Sequence, residues 1–150
     1  QRYWFCRQME LARELSLPVI IHSRDAAKDT LKLMKDIHAQ EIPGVIHCFS
    51  YSLELAQEYV NMGYYIGIGG VVTFKNSKKL KEIAAQIPLE RILLETDCPY
   101  LSPEPNRGKR NSSLNLPYVA GEIASIKGIA TEEVIAQTWE NAGRLFTKAV

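Results

Sequence analysis

Leu17-Pro18-Val19-Ile20-Ile21-His22-Ser23 and Gly44-Val45-Ile46-His47-Cys48-Phe49 are short apolar runs, each carrying a histidine near its end. Both are continuous rather than alternating and rich in β-branched residues. That predicts strands buried on both faces, as in a parallel sheet. Tyr64 to Gly70 and Arg91 to Asp97 repeat the pattern. Helical periodicity fills the gaps over 26–37, 53–62 and 78–87, and a leading helix covers 3–15. Ser50 or Ser52 is available to cap the helix from Leu53. Asn115 and Pro117 open a further helix that Gly128 stops, and Thr131 caps a last one reaching about Phe146.

The rhythm is even: His22 to His47, His47 to Gly70 and Gly70 to Asp97 are 25, 23 and 27 residues apart. Each helix returns the chain to the start of the next strand, so the strand ends share one edge of the sheet. Four such units make either a small doubly wound sheet or half of a (β/α)₈ barrel, which needs ~250 residues. No linker or low-complexity tract divides the 150 residues, which read as one domain portion, 1–150.

Composition sets outer bounds. A chain with 46% hydrophobic and 23% charged residues folds into a globule. Its net charge of +1 excludes wholesale basicity, so any polyanion contact must come from a local patch. Cys6, Cys48 and Cys98 form no C-x-x-C pair and suit a reducing compartment. No apolar run approaches the ~20 residues of a membrane span, and no leader is legible. A cytoplasmic, non-membrane protein is the expectation.

His22, His47 and Asp97 fall at strand ends in one layer. Two imidazoles and a carboxylate are a reasonable ligand set for a divalent cation such as Mg, Mn or Zn. A single histidine after a strand is more often a hydrogen-bonded structural residue; two with an aspartate in the same layer favour a metal. His38, near a helix end, reads as surface. Glu95 lies two residues before Asp97 and so on the same face, either as a partner behind the ligands or as a satisfied buried acid. Cys48 and Cys98 point away from their ligand neighbours and read as packing. Arg24 suits a substrate phosphate about as well as it suits solvent. After Asp97 comes a proline-stiffened loop with Arg107, Lys109 and Arg110, which suits a phosphate backbone. Tyr100 stacks a base or packs.

Pro18 to Ala26, His47-Cys-Phe-Ser50, Leu94-Glu-Thr-Asp97-Cys-Pro-Tyr-Leu101, Pro103 to Asn111 and Glu140 to Phe146 together closely resemble the motifs of TatD-type metal-dependent deoxyribonucleases. The resemblance covers essentially the whole chain. It implies a TIM barrel of the metal-dependent hydrolase type, a divalent metal centre and hydrolysis of DNA phosphodiesters, as an exonuclease. It also implies metal ligation by His22, His47 and Asp97, with Asp97 catalytic.

The same family carries a His-x-His pair on its first strand and a bridging glutamate on a later one. Neither motif occurs in these residues. The chain is therefore expected to be roughly the C-terminal half of a barrel, ending naturally near Val150. It would hold part of a site for which two metals are plausible in the full-length enzyme, and would be weakly active or inactive by itself. A hydrolase of a small phosphoester or amide is the competing reading. A non-enzymatic fragment with relic site residues is a third.

Overall fold

The computed structural model describes residues 1–147; the natural end expected at Val150 lies outside the described residues. Helix α1 (Arg2–Glu14) leads into β1 (Val19–His22), α2 (Ala27–Asp36), β2 (Gly44–His47), α3 (Leu53–Asn61), β3 (Tyr65–Ile68), α4 (Lys78–Gln86) and β4 (Ile92–Leu94). After a long loop, α5 (Leu116–Lys127) and α6 (Thr131–Leu145) close the chain. The strands form one parallel sheet in the order β1-β2-β3-β4, so every crossover returns the chain to the next position.

Register sorts the apolar residues into two layers. Ile21, Ile46, Ile66 and Ile92 face the helices and join Met34, Tyr59, Ile83 and Ile123 in the main core. Ile20, Val45, Tyr65 and Leu93 face the other way. There Val45, Tyr65 and Leu93 are covered by Leu145 and Phe146 at the end of α6. Asn141 anchors that helix: its Nδ2 donates to the carbonyls of Leu89 and Ile92, at 2.8 and 2.9 Å.

The expectation that every strand is buried on both faces fails at β1. Ile20 is 64% exposed, because the end of α6 covers Val45, Tyr65 and Leu93 but leaves this edge strand open. β4 also ends sooner than its apolar run suggests, at Leu94, so Asp97 lies three residues into the following loop. The cap assignments hold in part. Ser52 accepts from the amide of Leu55 and Gly128 ends α5 at φ 69°, but Thr131 is the first residue of α6 and makes no cap bond.

Both sheet edges are unpaired among the described residues and carry exposed apolar side chains: Trp4, Leu15 and Ile20 beside β1, and Ile135 and Trp139 beside β4. Open edges flanked by apolar surface recruit further strands. The 150-residue chain alone is therefore expected to self-associate as its concentration rises, and Ile20→Lys combined with Trp139→Lys should shift it toward monomer. Sedimentation velocity checks this. A wild-type chain that stays monomeric at every concentration would show that the edges do not attract one another.

Candidate metal centre

His47 ends β2 with its ring on the face opposite the helices. A carboxylate stands at each of its nitrogens. Nδ1 lies 2.8 Å from Oε2 of Glu95, and Nε2 lies 3.1 Å from Oδ1 of Asp97. The other oxygen of Glu95 accepts the backbone N–H of Cys48 at 2.9 Å. Glu95 thus holds both the ring and the turn that follows it. Burial raises the Glu95 carboxyl above its ordinary range; the Cys48 N–H and His47 oppose that rise.

With its proton on Nδ1 for Glu95, the imidazole presents a lone pair at Nε2. Nε2 and Oδ1 of Asp97 are then two lone-pair atoms facing each other, an arrangement that a cation between them makes favourable. Two donors bonded to one ion at about 2.0–2.2 Å stand about 3 Å apart, which matches the observed separation. The pair therefore fits a divalent ion. His22 sits opposite His47 in the sheet register, with ring centroids 5.7 Å apart. It is exposed, however, and no set of three His, Cys, Asp or Glu side chains converges on one point among the described residues. The structure brings His47 and Asp97 together and leaves His22 beside them.

Local backbone explains the aim of these groups. Cys48 and Asp97 adopt left-handed φ values of 48° and 53°. The first turns the chain sharply off β2, and the second swings the Asp97 carboxylate back toward the sheet. An aspartate tolerates that conformation better than most residues. Burial raises the Cys48 thiol to about 11, helped by Glu95 and Asp97, so it stays protonated near neutrality, in keeping with a packing role. Gly67 on β3 is a less obvious participant. A Cβ there would strike Oε2 of Glu95, so the missing side chain is the space in which that carboxylate lies.

The loop from Cys98 is organised by Asn111, which the sequence reading passed over. This residue is buried, and its Nδ2 donates to the carbonyls of Thr96 and Tyr100. Its Oδ1 accepts from Ser112 N and Asn115 Nδ2, and its own N–H donates to Pro99. Gly70 admits the loop to close range, because a Cβ there would meet the carbonyl of Leu101. Among the cations singled out from sequence, Arg107 stacks on Phe74 at 4.3 Å and lies 3.9 Å from Glu104. Lys109 and Arg110 are exposed on the same loop. Arg24 is exposed beside Asp25, and Tyr100 is exposed rather than packed. No contact joins these cations to His47 or Asp97. A cavity of about 380 Å³ opens next to Asp97, between Glu95, Gly70, Val71, Leu80 and Leu101.

The profile of the TatD-related DNase family matches residues 1–147. An uncharacterized metal-dependent hydrolase of Bacillus subtilis, YabD, is 48% identical over 146 residues, covering 97% of this chain and 57% of that protein. The 3'-5' ssDNA/RNA exonuclease TatD of Klebsiella pneumoniae is 40% identical over 95% of this chain and 56% of its own length. The crystal structure of YJJV, a TatD homologue from Escherichia coli, superposes with a TM-score of 0.86 at 31% identity, over 93% of this chain and 54% of that one. The chain spans about half the length of the relatives it matches. Its four βα units accordingly form half of a TIM-barrel hydrolase fold.

Two substitutions in the full-length protein test how the centre is held. Gly67→Ala should displace Glu95 and weaken divalent-metal affinity by about 10–100-fold, the usual effect of disturbing a ligand's supporting carboxylate. Calorimetric metal titration reads it, and unchanged affinity would separate Glu95 from the metal. Asn111→Ala should cost about 2–4 kcal/mol in urea unfolding, because buried carbonyls and an amide lose their partner.

Proposed function

This chain belongs to the family of TatD-related DNases, and from that premise we propose that it carries the C-terminal share of a metal-dependent phosphodiester hydrolase acting on DNA. The observation that carries the reading is the His47 ring held between Glu95 and Asp97 at the C-terminal edge of a parallel sheet. That edge is where α/β barrels place their chemistry. A divalent ion bound there would supply Lewis acidity, lowering the pKa of water and offsetting the charge that phosphoryl oxygens develop during in-line displacement.

The chain's own groups divide the labour. Nε2 of His47 and Oδ1 of Asp97 are the donors that would hold the ion, and Asp97 also borders the cavity where substrate would lie. His22, in the same layer, is the third candidate donor. Glu95 orients the ring through Nδ1 and would keep the His47 proton there when Nε2 holds the ion. Further donors, and those of a second metal in a two-metal site, would come from the part of the fold these residues do not cover. Arg24, Arg107, Lys109 and Arg110 would meet phosphates along the strand, Arg107 from its seat on Phe74. Exonuclease action on single strands draws support from the name of the Klebsiella relative. A cytoplasmic location fits the free thiols at Cys6, Cys48 and Cys98, and no helix of the described residues is long and apolar enough to cross a membrane.

The decisive assay uses the full-length protein on single-stranded DNA, duplex DNA and a small phosphodiester, with Mg²⁺, Mn²⁺ or Zn²⁺ and with EDTA. Cleavage of DNA that EDTA abolishes is expected. Asp97→Asn should lower kcat/KM by about two orders of magnitude or more, since it removes both a ligand and its charge. Wild-type rates in that variant would remove Asp97 from the centre. A preference for the small ester would move the substrate class away from nucleic acid.

A further inference from the structure

We propose that the cavity beside Asp97 is a nucleoside subsite, receiving the base and sugar next to the phosphate being cut; the proposal rests on the nuclease reading above. Neither histidine of the centre lines this cavity, so it adjoins the metal donors without being their pocket. One wall is Glu95-Thr96-Asp97. Leu101, further along on the loop that Asn111 organises, lines it too, as do Cys48, Phe49 and Ser50 after β2, Gly69, Gly70 and Val71 after β3, and the start of α4.

Chemistry and size both point to one nucleoside. The walls are mainly apolar, with Phe49, Val71, Leu80 and Leu101 among the lining side chains, against which a nucleobase can bury its ring. A volume of about 380 Å³ falls at the small end of ligand pockets, enough for one base with its sugar and too little for a base pair. A base entering it must leave its stack, which costs least at a single-stranded end. Glu95 and Asp97 are the only carboxylates among the lining residues, while Lys78 and Lys79 are exposed at the mouth, where the next phosphate would pass.

Some of the polar groups lining it are engaged: Ser77 Oγ donates to the carbonyls of Val72 and Phe74, and Thr96 Oγ1 accepts from the amide of Cys98. Ser50 and Asn76 also line it and are left to meet the sugar or a base edge.

The test is calorimetric titration of the full-length protein with dTMP, dAMP and inorganic phosphate, with Mg²⁺ and again in EDTA. In EDTA both nucleotides should bind at least about tenfold tighter than phosphate. Val71→Trp, which fills the cavity, should weaken both nucleotides by about tenfold or more. Should that variant fail to fold, Leu101→Trp fills the space from the loop after β4. Phosphate binding as tightly as dTMP, or wild-type dTMP affinity in a folded, filled variant, overturns the subsite. A protein that cleaves DNA but fails these criteria loses the subsite alone. One that binds dTMP in the cavity yet cleaves no DNA keeps the subsite and loses the nuclease reading beneath it.

Discussion

The grip of Glu95 on β2 is the interaction on which the site depends. One carboxylate, from the segment after β4, meets Nδ1 of the His47 ring with one oxygen and accepts the backbone N–H of Cys48 with the other. It spans β3 to do so, and β3 offers Gly67 as the gap. Burying an acid there is costly, as its raised pKa records, and only these two donors make the position tenable. The result is an imidazole with a fixed orientation, its Nε2 turned toward Asp97. Such orientation from behind is how supporting shells sharpen metal affinity.

Two further devices keep the partner side in place. Asp97 reaches His47 from a loop rather than a strand, so its position is set by whatever holds that loop. Asn111 does this with a single amide side chain, binding residues on both flanks of the turn. Gly70 lets the loop seat against the segment after β3, and Glu104 N–H bonds Thr73 Oγ1 beyond it. The loop after β4 and the loop after β3 therefore behave as one layer, with the cavity between them.

The fold was largely legible, because it is written in period and spacing. Continuous apolar runs at even intervals announced parallel strands, and helical runs between them announced crossovers. Where the reading failed, a tertiary fact intervened. The apolar pattern of β1 says nothing about whether a helix will cover Ile20, and that of β4 does not reveal that pairing stops at Leu94. The site was legible in its residue types, since His47 and Asp97 do meet. Geometry was not: the left-handed turns at Cys48 and Asp97 decide where those groups point, and no local pattern announces them. Asn111 and Gly67 escaped for a similar reason. An asparagine in a polar loop and a glycine in a strand look ordinary until the partners they serve are in place. The loop cations show the converse, conspicuous in sequence yet spent in part on Phe74 and Glu104.

The register that sets His22 opposite His47 carries a risk of its own. Val19-Ile20-Ile21 is apolar on both faces, so hydrophobic patterning does little to reject a pairing displaced by one residue. Such a slip would bury nearly as much oil yet turn His22 from the open face toward the helices. The native register seats Val19 and the Tyr64 ring against Gly44, so closely that any other residue there would collide. A position with no side chain, at the end of β2 away from His47, is thus a condition of the pairing that sets the two histidines opposite each other.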